Sequence, residues 1–400
     1  MIHSSYYRPR IYPFGADIDS SEIDRLQDLS ATTTLNRTKI EEIGRDGIVS
    51  WRTVAPTVNL NMRQLEYGSL EFWRKLASKG DSVSQINFTD FKTSRFDIAG
   101  YKTDDSGTFL GTIWYPGQRV SSFTVNVASP DALIERSFTT VGEDEIVLEN
   151  NNKYLVSNKQ TISAGNNSTL TINNPTPVLD PDISGQFLHR VVRIRSGTAT
   201  VLTPGQEWSY NGSGTLLING ASSAGDVIRY WYSAGSYLTG LNPFTNNDTD
   251  AAGIAADACS LYLQSSNYLY RLQSASLEVT MDRFDIEEIG NKDKVAFGTR
   301  NISARVTLGR IIEAYTIEEV LRGKAGLSYG KLDIRKMSTG FNFIMKVYND
   351  NTKTSFKLGY KVTDLAPVGT SAGTPTSDYI QRGATLEGEV GFISSIEAVL

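Results

Sequence analysis

Side chains able to do chemistry are few in this 400-residue chain. There are 2 histidines, His3 and His189, and neither has a sequence neighbour that would make it a general base. One cysteine, Cys259, excludes an intrachain disulfide and a cysteine metal cage. Gly369-Thr370-Ser371-Ala372-Gly373 matches the nucleophile-elbow pattern, which needs a strand before it and a helix after it. Here it is expected within a Pro/Gly/Thr loop, Asp364 to Asp378. Asp104-Asp105-Ser106-Gly107 and Asp248-Thr249-Asp250 offer oxygens to a cation but lack calcium-loop spacing and read as turns. No phosphate loop, dinucleotide fingerprint or zinc-protease signature occurs. That leaves two carboxylate pairs, Glu41-Glu42 and Glu287-Glu288. Neighbours on an extended chain point to opposite faces, so neither pair makes an acid and a base around one substrate. The inventory predicts a protein that is not an enzyme, with no cofactor and no metal.

Both carboxylate pairs belong to one repeated motif. Ile40-Glu41-Glu42-Ile43-Gly44 returns as Ile286-Glu287-Glu288-Ile289-Gly290, and the step from 40 to 286 is 246 residues. At the same step Thr57-Val58-Asn59-Leu60-Asn61-Met62 is matched by Ser303-Ala304-Arg305-Val306-Thr307-Leu308. Both alternate apolar and polar with period two, as a strand with one face in a core does. A short helix is expected after each, Ser69–Ser78 and Thr316–Arg322, stopped near Gly80 and at Gly323. Ser69 and Thr316 suit the helix start, and Thr316 with Glu319 has capping-box spacing. One loop–strand–helix–strand unit therefore occurs twice.

Composition bounds the rest. The length allows two or three domains at about 100–200 residues each. Hydrophobic residues make up 40%, so real cores are expected. A net charge of −5 argues against gripping nucleic acid by phosphate neutralisation. No run of about 18 apolar residues exists to span a membrane. The first residues lack an apolar signal core, so a cytoplasmic site of synthesis is expected.

Along the chain, 1–30 reads as an N-terminal arm punctuated by Tyr6, Tyr7, Tyr12 and Phe14, with Pro9 and Pro13 opposing helix. It is either a strap on its own domain or an arm on a neighbouring subunit. Ser21 to Leu29 suits one or two helical turns. Residues 31–140 form the first repeat, with Lys39–Thr53 as a long hairpin loop. Strands are expected over Phe96–Tyr101, Phe109–Trp114 and Val120–Val127. Residues 141–257 are rich in Asn, Gly, Ser and Thr with short strand-like runs, which predicts an inserted β-sandwich-like module and linker. Residues 258–400 form the second repeat, closing on a strand Ala384–Phe392 with Leu386, Val390 and Phe392 on one face. The expected fold class is mainly β, with sandwich- or barrel-forming sheets and one short helix per repeat.

In the order strands, long loop, alternating strand, short helix and closing sheet, each repeat resembles the major tail tube proteins of tailed bacteriophages, in the duplicated-domain form. The resemblance covers about 31–140 and 258–400. It implies a structural virion protein forming trimeric, pseudo-hexameric rings that stack into a tail tube, a conduit for DNA ejection. It also implies that loops 39–53 and 285–299, bearing Glu41, Glu42, Glu287 and Glu288, reach into the adjacent ring. Polar strand faces with Asn59, Asn61, Arg305, Thr307, Glu387 and Glu389 would line the lumen, past which DNA slides without specific binding. The implied partners are the chain itself, a tape measure, a terminator, baseplate or tip proteins and, in a contractile tail, a sheath. The inserted module would decorate the tube's outside. Two rival classes remain: a baseplate, tail-tip or tube-initiating ring, and a carbohydrate-binding surface β-protein using Trp208, Trp231 and Tyr232.

Overall fold

The computed structural model describes residues 7–14, 23–35, 37–41, 48–53, 56–129, 131–149, 154–163, 168–172, 177, 187–196, 198–219, 222–237, 252–264, 267–269, 272–287, 294–311, 339–373 and 381–400. The chain is mainly β, as its alternating segments predict. It divides into two compact units, one of Met1–Ile23, Arg95–Gln118 and Glu143–Thr249, the other of Asp24–Ser94, Arg119–Gly142 and Asp250–Leu400. These do not follow the four consecutive stretches expected from the sequence, because sheets group strands by register, not by chain order.

The first unit begins with strand β1 (Tyr7–Pro13), which pairs antiparallel with β7 (Phe96–Thr103). The expected arm is thus a sheet strand, and its prolines are tolerated because β1 has a single strand neighbour. β7 pairs with β8 (Phe109–Val127), and β8 with β10 (Ile146–Glu149). β8 is one strand where two were expected. Gly117, at φ 65, bends it without ending it, and its N–H donates to Asp97 Oδ1 at 2.8 Å.

The rest of this unit is a sandwich, as the short strand-like runs predict. One sheet runs in the order β11 (Tyr154–Thr161), β17 (Val227–Ala234), β13 (Leu188–Arg195), β14 (Thr198–Val201). The other is β12 (Ser168–Thr171), β16 (Thr215–Ile218), β15 (Trp208–Tyr210). Trp208, Tyr230 and Tyr232 are buried between them, and Trp231 packs with Tyr12, Tyr101 and Trp114 in a second cluster. These aromatics fill cores and are not a sugar-stacking surface. Arg190 seals that cluster: its guanidinium lies 4.0 Å from the Trp231 ring and bonds the fully buried carboxylate of Asp97. The inserted sandwich is therefore tied to β7 by a buried ion pair.

In the second unit, β2 (Leu26–Thr34) pairs with β5 (Thr57–Leu65). Arg25 turns the chain at φ 55, and pairing with β5 draws Leu26–Leu29 into the strand where helical turns were expected. β3 (Arg37–Glu41) and β4 (Ile48–Thr53) form a hairpin. Helix α1 (Glu71–Leu76) is the only α-helix among the described residues and is shorter than expected. Ser69 Oγ accepts from the Glu71 N–H at its start, and Ser78 at φ 53 ends it two residues before Gly80. α1 buries Phe72, Trp73 and Leu76. Trp73 packs edge-on against Phe123, Phe138 and Tyr360, at 4.9, 5.1 and 6.0 Å between centroids. The helix expected over Thr316–Arg322 lies outside the described residues.

The remaining strands of the second unit are β6 (Gln85–Asn87), β9 (Glu135–Gly142), β18 (Cys259–Leu263), β19 (Asn267–Tyr268), β20 (Leu272–Glu287), β21 (Lys294–Ile311), β22 (Phe341–Tyr348), β23 (Phe356–Gly373), β24 (Gln381–Gly388) and β25 (Val390–Ser394). The expected closing strand Ala384–Phe392 is thus two strands. It breaks at Glu389, where the chain passes from β21 and β23 to pair with β23 and β6, and Val390 is 55% exposed in consequence. The segment expected as a loop after Asp364 is instead β23, which continues to Gly373 on the ladder of β24.

Candidate assembly edges and the polar sheet face

The 246-residue step read from the repeated motif holds for five strands of the first repeat and their counterparts in the second. β2 and β3 together correspond to β20, β4 and β5 to β21, and β9 to β24, each bound shifted by that step. The pairings shift with them: Leu29↔Met62 becomes Ala275↔Leu308, Arg37↔Thr53 becomes Arg283↔Thr299, and Val58↔Gly142 becomes Ala304↔Gly388. Even the irregularities recur, at Leu26/Asp28 and Leu272/Ser274, and at Ile40/Glu41 and Ile286/Glu287. The pairings β1·β7, β7·β8 and β8·β10 return as β18·β22, β22·β23 and β23·β25. The duplicated unit therefore includes the N-terminal strand and ends with β10, and the insertion proper starts after Glu149.

Within the second unit the two repeats join edge to edge. The strand order is β2-β5-β9-β8-β20-β21-β24-β23, antiparallel throughout, and β8·β20 is the seam, from Ala275↔Val127 to Thr280↔Ser122. Core-side residues Ala275, Leu277 and Val279 lie beside Val127, Val125 and Phe123, all buried. Burying each larger side chain contributes roughly 1.5–3 kcal/mol. Among the described residues this sheet ends on β2 at one side and on Ala366–Gly373 of β23 at the other, with no further strand beyond either. The exposed edge strand β2 reads Leu-Gln-Asp-Leu-Ser-Ala-Thr-Thr-Thr, small and polar. An open ladder of this kind is a template for another strand.

The opposite face of the sheet is polar. Asn61, Arg305 and Thr307 are exposed on it, and Asn59 and Glu387 are half-buried. Glu389 is exposed but lies past the end of β24, so it belongs to the turn and not to the ladder. Arg305 Nε donates to Glu387 Oε1 at 2.8 Å, and Arg63 approaches Glu135 at 3.9 Å. Glu278, Thr280 and Ser303 join Arg305 and Glu387 around a shallow depression of about 290 Å³. Period-two alternation in β20 would have found Glu278 and Thr280. Arg305 and Arg63 on this face thus each approach a carboxylate.

The stretch expected as a long hairpin loop, Lys39–Thr53, holds the paired strands β3 and β4, and its counterpart holds the far ends of β20 and β21. Glu41 and Glu287 are the last paired residues of their outgoing strands, opposite Ile48 and Lys294. Glu42 and Glu288 lie outside the described residues. At the base of the second hairpin, Arg283 is held by backbone oxygens: Val120 O at 2.6 Å, Phe91 O at 2.7 Å and Lys92 O at 2.8 Å. Burial pulls its pKa down to about 10. Arg119 sits 3.4 Å from Asp285 and 3.0 Å from the centre of the Phe297 ring. Arg283 was visible in the sequence, since the repeated motif reaches back to Arg37 and Arg283.

His189 Nε2 contacts Ser233 Oγ at 2.7 Å, with Ser233 buried. Ser371 is within the ladder of β23, not at a strand-to-helix turn. The Asp104 carboxylate accepts N–H bonds from Ser106 and Thr108, as a turn residue does. No group of three or more metal-binding side chains occurs among the described residues. No helix among them is long and apolar enough to cross a membrane.

No family model and no curated protein matches this chain. Among solved structures it is similar in part to a chain from the sheath–tube complex of an extracellular contractile injection system in its extended state. That likeness has 10% identity and a TM-score of 0.27, over 36% of this chain and 92% of the other.

Proposed function

We propose that this chain is the ring-forming subunit of a phage tail tube, assembling as a homotrimer whose six repeats give a pseudo-sixfold ring. The observation that carries this is the β8·β20 seam together with the open edges on β2 and β23. A unit that pairs its own two copies head to tail, and ends in the same two edges, can add further copies the same way. Head-to-tail contacts of this kind close into a ring when the rotation allows. The polar face with Asn59, Asn61, Arg305, Thr307 and Glu387 lines the lumen, where mixed charge lets DNA slide. The β3–β4 and β20–β21 hairpins, ending at Glu41/Glu42 and Glu287/Glu288, stack one ring on the next. Partners are the chain itself and the tape measure, terminator and tip proteins of a tail. The site of action is the virion, with assembly in the host cytoplasm and no catalytic step.

Electron microscopy with mass determination on the purified chain tests this. Rings or tubes with a central hole and three chains around are expected. A chain that stays monomeric at high concentration and binds a polysaccharide refutes it.

A further inference from the structure

Resting on the ring assembly proposed above, the duplication specifies the contact between chains residue by residue, because the chain already holds one copy of it. Moving β20 back by 246 places Ser276–Thr280 on Ser30–Thr34 of β2. β8 and β23 are matched through their common partners: Ser122 pairs Thr139 as Gly369 pairs Thr385, and Thr139 and Thr385 differ by the same step. The internal pairs Thr280↔Ser122, Glu278↔Thr124 and Ser276↔Asn126 then become Thr34↔Gly369, Thr32↔Ser371 and Ser30↔Gly373 between two chains.

The same mapping assigns a role to Arg37. Arg283 locks the internal seam by donating to the Val120 carbonyl through both Nε, at 2.8 Å, and Nη2. Arg37 pairs with Thr53 as Arg283 pairs with Thr299, and it is exposed. Val120 faces Thr140 across the ladder as Pro367 faces Leu386, so Pro367 is the counterpart of Val120. We infer that Arg37 docks on the Pro367 carbonyl of a second copy of this chain and sets the β2–β23 register between them. The internal seam carries a second lock that is not duplicated. The counterparts of Arg119, Asp285 and Phe297 are Ala366, Lys39 and Trp51, so no Arg–Asp pair forms there. The seam between chains depends on Arg37 more than the internal seam depends on Arg283.

The test uses the full chain. Thr34→Cys with Gly369→Cys puts facing thiols across the assigned register, and a Cβ at Gly369 meets nothing within 4 Å. Native Cys259 is buried and its thiol is pushed up to about 12 by burial, so it does not compete. Oxidation is expected to give a covalent trimer on a non-reducing gel. The control Thr32→Cys with Gly369→Cys, a diagonal pair, is expected to give little. Arg37→Ala is expected to raise the concentration for half-assembly about tenfold or more, the scale of a charged hydrogen bond, without changing the melting temperature of the unassembled chain. Arg283→Ala is expected to lower that melting temperature instead. Rings without the cross-link, equal cross-linking of the diagonal pair, or assembly of Arg37→Ala at the wild-type concentration each overturn the assigned register or anchor while leaving ring assembly standing. Failure of the unaltered chain to form any ring removes the assembly itself.

Discussion

Replacing Arg190 with Leu tests whether the inserted sandwich is an appendage or part of a core. Asp97 is fully buried and accepts from the Arg190 guanidinium and from the Gly117 N–H at 2.8 Å, with Arg95 close enough to interact electrostatically. Removing Arg190 strips the buried carboxylate of its hydrogen-bonded ion pair, and breaking such a pair costs about 3–5 kcal/mol. Arg190 also lies 4.0 Å from the Trp231 ring and 4.7 Å from that of Trp114, and Leu recovers only part of that packing. A unit of this size melts about 2–4 °C lower per kcal/mol, so a fall of roughly 6–20 °C is expected. Calorimetry reads it, with tryptophan fluorescence reporting locally. Arg190→Leu with Asp97→Asn removes the stranded charge, and the double variant is expected to lose less than the sum of the singles. A loss below about 1 kcal/mol for Arg190→Leu, or strict additivity, refutes the buried-pair reasoning. By the same logic, deleting 146–236 is expected to destabilise the first unit, because it removes β10, Arg190 and Trp231 together.

Replacing Glu41 and Glu42, or Glu287 and Glu288, by Lys is expected to shorten tubes while leaving single rings; tubes of normal length from both double variants, counted by electron microscopy, count against the stacking role. Burial pushes the phenols of Tyr67 and Tyr230 up to about 12, and Tyr360 shifts upward too, by burial first and then the Glu66 charge. These phenols are neutral when protonated and their folded pKa lies above the unfolded value near 10, so the stability they contribute is present below about pH 10 and lost as pH rises toward 12; a melting temperature flat from pH 9 to 12 contradicts this. Gly391→Ala puts a Cβ 2.4 Å from a Phe88 ring carbon and 2.6 Å from the Lys361 carbonyl, so a loss of about 1–3 kcal/mol or more is expected in denaturant unfolding, and an unchanged midpoint argues against that packing.

The sequence by itself determined the repeat and the faces of its strands. Ile40–Gly44 and Ile286–Gly290 carry a step that the ladders of β2, β3, β4, β5 and β9 obey, and Val58, Leu60 and Met62 are buried where the period-two pattern puts them. Both are local signals: identity at a fixed spacing, and side chains that alternate across a pleated strand. What depends on partners far along the chain was decided only in the tertiary structure. Pro9 and Pro13 read as an arm because nothing nearby shows that β7 offers them an edge. The break at Glu389 and the unbroken run of β8 through Gly117 depend on which strands lie alongside. The seam β8·β20 joins residues 148 to 158 positions apart in sequence, from Ala275↔Val127 to Thr280↔Ser122, and no local pattern announces it. The buried Arg190–Asp97 pair is likewise invisible beforehand, since charge and spacing do not show that two distant residues share one apolar pocket.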